Sequence, residues 1–256
     1  MTSEQVPITP DPDERRAEIR APLTVVLVLA PLGLLAQLYR FVSHHDETLF
    51  IEEQIHHIGQ ALGIHAPLLP VLLLILGGLF VHLVYRHPWR LPHAKTILLI
   101  VAWAALWTFI RYVVGITAAI TTSSAQAVPH DGVTMLTKLG FVGIALSAAL
   151  QEELLFRAGC LGVLVLAARG LKAPPWVTYA VLLPLSAVFF AIAHTDIVNH
   201  TRGAIPFTWP AFVQWTLAGV LYGYVFLRQG LATCTLAHTG YNVVLIWGIA
   251  PLAPGA

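Results

Sequence analysis

Seven apolar stretches, each about as long as a bilayer-crossing helix, constrain this chain more than any other feature. They run Pro22–Val42, Pro67–Tyr85, Ala94–Ile120, Leu139–Ala168, Trp176–His194, Trp209–Leu227 and Leu231–Ile249. A hydrocarbon core of about 30 Å takes roughly 20 apolar residues of helix, and in lipid only helices and closed barrels satisfy every backbone polar group. The expected fold is all-α, a polytopic membrane helix bundle of about seven transmembrane helices, or eight. The fourth stretch is longer than one perpendicular crossing needs, so it tilts, bends or projects beyond the membrane.

Composition agrees. Of the 256 residues 57% are hydrophobic and 11% charged, against about a quarter charged in soluble domains. A mean hydropathy of +0.75 leaves too little polar surface to cover one core. The net charge of +1 forms no basic stripe and the aromatics lie in apolar runs, which excludes a nucleic-acid partner. Cys160 and Cys234 sit inside hydrophobic stretches and build neither a disulfide framework nor a C-x-x-C site.

Residues 1–21 are polar, with Pro7, Pro10 and Pro12, and read as a disordered tail. Residues 22–138 hold the amino-terminal spans with a loop at 43–66, and residues 139–250 form the core that carries the chemistry. The first span is too long for a signal-peptide core and lacks a small-x-small cleavage pattern, so it stays as an anchor. Arg15, Arg16 and Arg20, then Arg86, Arg90 and Lys95, then Arg169 and Lys172, then Arg228 all fall on one side of the bundle. By the positive-inside rule that side is cytoplasmic. Lys138 and Arg202 point the other way and are outnumbered. The expectation is a multi-pass protein of the plasma or inner membrane, with a cytoplasmic amino terminus and an external 43–66 loop.

Ionisable residues at membrane depth face a protein interior or a water-filled cavity and are functional candidates. In Gln151-Glu152-Glu153-Leu154-Leu155-Phe156-Arg157, Glu153 and Arg157 stand four apart on a helix, acid first, which is the favourable order for a pair. Glu152 turns about 100° away and is free to face something else, with Phe156 one turn on as a wall against water. Phe190 and His194 share a face of the fifth span, and His238 and Asn242 share one in the seventh. Gly219 and Gly223 make a Gly-x-x-x-Gly that suits a close helix contact.

Those three motifs, Glu-Glu-x-x-x-Arg, Phe-x-x-x-His and His-x-x-x-Asn, occur over residues 139–249 in the order found in the CAAX-protease and bacteriocin-processing (Abi) family. The chain resembles that family of intramembrane endopeptidases. The resemblance implies that Glu152 and His194 activate water without metal, while His238 and Asn242 stabilise the oxyanion. It also places Glu153 and Arg157 on motif positions, where they hold the helix and the electrostatics of the cavity. The residue types support the same division, because hydrolysis needs a base, oxyanion donors and an acid for the leaving amine. The implied partners are the bilayer and a membrane-anchored peptide or protein substrate, and no cofactor is expected.

Two other readings use the same residues. Glu152, His194 and His238 form a His₂Glu set of the kind that holds zinc in metallopeptidases, although no His-Glu-x-x-His occurs. They would also serve a proton relay in a transporter, but no matched halves or broken helices support that. The full set of polar motifs argues against an inert adaptor. The loop histidines and acids, His44, His45, Asp46, Glu47, Glu52, Glu53, His56, His57 and His65, fit the polar side of a membrane-surface helix whose apolar side carries Leu49, Phe50, Ile51, Ile55, Ile58 and Leu62. Arg111 has no partner in this reading. At about 1.5 Å per residue, Glu152 and His194 lie about 25–29 Å from the cytoplasmic end but His238 only about 11 Å. For the three to meet, spans four and five must tilt or begin outside the membrane, or the turn at Arg228–Gly230 must sink into it.

Overall fold

A computed structural model describes residues 12–43, 69–84, 91–122, 135–198 and 206–244. Its helices are α1 (Pro12–Arg20), α2 (Pro22–Ser43), α3 (Leu69–Val84), α4 (Ala94–Thr122) and α5 (Met135–Glu152). A π-helical segment (Glu153–Leu161) continues α5 into α6 (Gly162–Gly170), and a second one (Thr178–Leu182) leads into α7 (Leu183–Ala193) and then α8 (Trp209–Val244). No β-strand occurs among the described residues, and the architecture is an all-α bundle. The loop histidines and acids and their surface helix lie outside the described residues.

The burial pattern is inverted relative to a soluble protein. Leu35, Leu76, Phe80, Leu98, Phe109 and Val163 are each at least 60% exposed, whereas Arg111, Gln151, Glu153 and Arg157 are at most 2% exposed. An apolar exterior around a polar interior is what lipid as solvent imposes. Ala94–Val114 and Trp209–Val244 are long and apolar enough to cross a membrane by length and composition. The helix from Met135 onward is interrupted by Glu152, Glu153 and Arg157, so composition alone understates it.

α8 is a hairpin. Gly230 has φ 84°, a left-handed conformation open to glycine at little cost. The Tyr222 and His238 rings lie 4.4 Å apart, whereas a straight helix would separate them by about 24 Å. The two arms therefore fold back on each other, and the sequence boundary between spans six and seven becomes a tight turn.

That turn is fastened by α1. The Arg20 guanidinium donates to the Arg228 carbonyl, and Gly230 packs against the Arg20 side chain. Ile19, 4% exposed, joins the core cluster that contains Leu231 and Ala232. At the other side of α1, Glu18 accepts from the His93 backbone N–H at 2.8 Å and the Thr96 hydroxyl at 2.6 Å, which caps the start of α4. Burial raises the Glu18 pKa, but these hydrogen bonds and the nearby His93 outweigh it and hold the carboxyl below its ordinary value. Residues 12–20, read from sequence as part of a disordered tail, are thus helical. Pro12 suits a first helical position, and the order of acids first and Arg20 last complements the helix dipole.

Close helix approaches set the remaining geometry. Gly219 lies against the Ala187 backbone and Gly223 against Leu183, so the Gly-x-x-x-Gly is the contact between α7 and the first arm of α8. Gly33 of α2 meets Leu150 of α5, and Gln37 donates to Ser147 at 2.9 Å. This register sets Glu152 opposite about Pro31, roughly 14 Å along α2 from Pro22, while His238 lies roughly 12 Å beyond Gly230. The depths agree because the helix that contains Glu152 runs on through α6, well past that level.

A Cβ on Gly219 would stand 2.8 Å from the Ala187 Cα, whereas one on Gly77 would meet nothing within 4 Å. Gly219→Ala should lower thermal stability in detergent by about 1–3 kcal/mol through overpacking. Gly77→Ala should leave it unchanged or slightly raised. Equal melting curves for the two variants would contradict the packing described.

Candidate active site

Three helix ends or faces deliver the polar residues to one place. Glu152 is the last residue of α5 and His194 follows the end of α7, while His238 lies on the second arm of α8. His194 Nε2 is 3.4 Å and His238 Nε2 3.7 Å from the same atom, Glu152 Oε2. The Glu152 and His194 side chains keep 16% and 18% exposure, enough to admit a small reactant. Asn242 is half-buried one turn beyond His238 and has no hydrogen-bond partner among the described residues. The site thus brings together Glu152, His194 and His238, with Asn242 at its margin.

The far side of each imidazole fixes its protonation. His194 Nδ1 is 2.8 Å from the Phe190 carbonyl, which can only accept, so Nδ1 donates. His238 Nδ1 is 2.8 Å from Glu153 Oε1, a carboxylate already facing Arg157, and donates likewise. Both rings therefore turn Nε2 towards Glu152. Two lone pairs against a carboxylate would repel, so this trio shares at least one proton. Orientation of an imidazole through its other nitrogen is a recurrent device in hydrolytic and metal sites.

Glu153 is fully buried and holds three groups. Arg157 Nε lies 3.1 Å from its Oε2, the pair expected from the four-residue spacing. Cys234 Sγ donates to the same oxygen at 2.9 Å, and His238 takes the other. The Arg157 N–H groups are not aligned for hydrogen bonds, so this pairing is coulombic. Its guanidinium lies over the Phe190 ring at 4.6 Å, and Phe156 meets Phe190 edge-on at 5.2 Å. Phe156 and Phe190 thus form the apolar wall behind the carboxylates.

Several participants are not legible from the sequence motifs. Trp215 stacks on His194 at 4.2 Å and 21°, and Tyr222 stacks on His238 at 4.4 Å and 17°. Seven residues apart, the two aromatics share one face of the first arm of α8, and each holds one histidine plane. In an apolar helix such a pair looks like any lipid-facing aromatics. Cys234, set inside a hydrophobic stretch of the sequence, is a donor to Glu153. Although Glu152, His194 and His238 converge, no group of three or more His, Cys, Asp or Glu among the described residues is arranged to hold a metal ion.

Comparison with known proteins bears on the same stretch. Residues 134–244 match a family model described as Rce1-like, type II CAAX prenyl endopeptidase Rce1-like. No curated protein and no solved structure matches the chain.

Breaking a buried pair from one side leaves an uncompensated charge, at a cost of about 3–5 kcal/mol. Glu153→Gln and Arg157→Gln should each destabilise the protein strongly, and the double variant should be milder than their sum. Glu153→Gln should be the worse single change because it also releases His238 and Cys234. Strictly additive shifts in a thermal double-mutant cycle would tell against the pairing.

Proposed function

We propose that this chain, whose residues 134–244 match the Rce1-like CAAX prenyl endopeptidase family model, is an integral membrane protein that hydrolyses a peptide bond with a water activated by Glu152 and His194. The match over residues 134–244 supports a CAAX-type membrane endopeptidase. The finer mechanism is supported above all by one observation: two oriented imidazoles turn Nε2 to a single Glu152 oxygen.

Separations of 3.4 and 3.7 Å are longer than direct hydrogen bonds and suit a shared water. Glu152 takes a proton from that water as the oxygen attacks the scissile carbonyl, and the C=O electron pair moves onto oxygen. His238, held through Nδ1 by Glu153, turns Nε2 to the oxyanion. Asn242 supplies a second donor from the same helix face. Collapse of the intermediate breaks the C–N bond, and the proton passes through Glu152 and His194 to the leaving amine. Trp215 and Tyr222 keep both rings in plane for this exchange, and Arg157 faces the Glu153 carboxylate. The substrate is a membrane-anchored peptide or protein, and the positive-inside pattern favours a cytoplasmic amino terminus.

Glu152→Gln keeps shape and removes the base, so cleavage of a membrane-anchored peptide should fall by more than about 10²-fold, with normal accumulation in the membrane. His194→Ala should behave alike. Near-normal cleavage by the Gln variant would overturn the assignment.

Glu152, His194 and His238 are also the residue types of a zinc site, and chelation separates the two chemistries. Purified enzyme should stay active after exhaustive chelation. Chelator-killed activity restored by stoichiometric zinc would establish the metal reading instead.

A further inference from the structure

Cations from three helices gather at the end of the bundle where α8 turns. Val165 of α6, Leu182 of the second π-helical segment and Leu227 of α8 pack in one hydrophobic cluster. Arg169 stands four residues beyond Val165, on the same helix face, and Arg228 directly follows Leu227. One apolar contact therefore sets two guanidinium groups at its rim. α1 brings a third, because the Arg20 side chain donates to the Arg228 carbonyl and lies on Gly230. All three arginines are exposed, so a ligand can reach them.

No carboxylate answers these charges. Among the described residues neither Arg169 nor Arg228 forms an ion pair, and Glu18 turns to the other side of α1, where it caps α4. Burial lowers the Arg20 pKa; the charges of Arg228, Arg16 and Arg169 lower it further, and Tyr179 opposes them. Like charges brought together in this way repel. The surroundings are apolar: Leu171 is 83%, Trp176 62% and Tyr179 42% exposed, and Trp and Tyr are the residues that anchor at a membrane surface. Along the adjoining flank, Leu166, Val181 and Leu185 are 54%, 45% and 41% exposed. A ligand that fits this corner has an anionic head rich in acceptor oxygens and an apolar tail.

We propose that Arg20, Arg169 and Arg228 bind the phosphodiester of an anionic glycerophospholipid, with its acyl chains against Leu166, Val181 and Leu185, and that this lipid secures the turn of α8. Guanidinium forks match phosphate oxygens, and basic pockets between membrane helices at the interface suit such head groups. The Tyr179 hydroxyl adds a neutral donor. A bound phosphate offsets the repulsion around Arg20, the residue that fastens Arg228 and Gly230, and so stabilises the arm that carries His238. The site does not depend on the endopeptidase reading.

Native mass spectrometry of the full chain measures the site, with phosphatidylglycerol and zwitterionic phosphatidylcholine of identical acyl chains as probes. The anionic lipid should bind about tenfold or more tightly, as several interfacial cations acting together imply. The double variant Arg169→Gln/Arg228→Gln leaves the Arg228 carbonyl to Arg20 and should bring the ratio close to one. Lys95→Glu changes the net charge equally at an exposed position on α4 and should keep the preference. In phosphatidylcholine nanodiscs, added phosphatidylglycerol should raise the melting temperature of the parent and of Lys95→Glu, but not of the double variant. Arg169→Gln alone, at an exposed helix end, should lose part of the preference, which keeps the site testable if the double variant fails to accumulate. Equal affinity of the parent for both lipids, a preference that survives the arginine variants, or one that Lys95→Glu removes as fully would overturn the proposal. Inorganic phosphate and glycerol phosphate should neither stabilise the protein nor displace the lipid at equal concentration. Stabilisation by either that equals the lipid's would assign the corner to a soluble phosphate and overturn the lipid site.

Discussion

A fully buried carboxylate, Glu153, holds the candidate active site together. It accepts from His238 at 2.8 Å and Cys234 at 2.9 Å, and it faces Arg157 at 3.1 Å. Two of these partners come from the second arm of α8 and one from its own π-helical segment, so one side chain joins the two elements that form the site. At membrane depth no water can take the place of any of them. The arrangement also orients His238, because a ring that donates from Nδ1 to Glu153 must present Nε2 to Glu152. The adjacent glutamates divide the work: one is tied down by three neighbours, and the other is left to face the reactants.

The second requirement is that the two arms of α8 fold back on each other. Without the left-handed Gly230, Tyr222 could not stack on His238 and Cys234 could not reach Glu153. The freed carbonyl at Arg228 and the packing surface of Gly230 are both taken by Arg20 of α1. This helix, the first among the described residues, thereby supports a turn more than 200 residues away. Its Glu18 caps α4, the helix that carries Arg111. The amino-terminal region has none of the three motifs, yet it braces α8, which carries His238, and the start of α4.

Much of the site was legible because polar residues stand out in apolar runs. Glu152, Glu153, Arg157, His194 and His238 interrupt stretches that lipid would keep uniform, and the four-residue spacing of Glu153 and Arg157 foretold their pair. Gly219 and Gly223 foretold the contact of α7 with α8. What escaped had no contrast to betray it. Trp215 and Tyr222 are aromatics among aromatics, and Cys234 is a small residue in a small-residue helix. The meeting of Glu152 with His238 looked impossible for straight helices of equal extent. It follows from helix registers that sequence periodicity does not reveal, with the helix bearing Glu152 running past the level of the Gly230 turn. α1 escaped because three prolines read as breakers, although Pro12 only starts a helix.

The central claim is that Glu152 activates water and does not attack the carbonyl itself. Single-turnover hydrolysis in ¹⁸O-labelled water tests this directly, with mass spectrometry of both the product and the enzyme peptide that contains Glu152. Activation of water places one ¹⁸O in the new product carboxylate and none in the Glu152 side chain. Label in the Glu152 carboxylate, left by hydrolysis of an anhydride formed with the substrate, would contradict the mechanism.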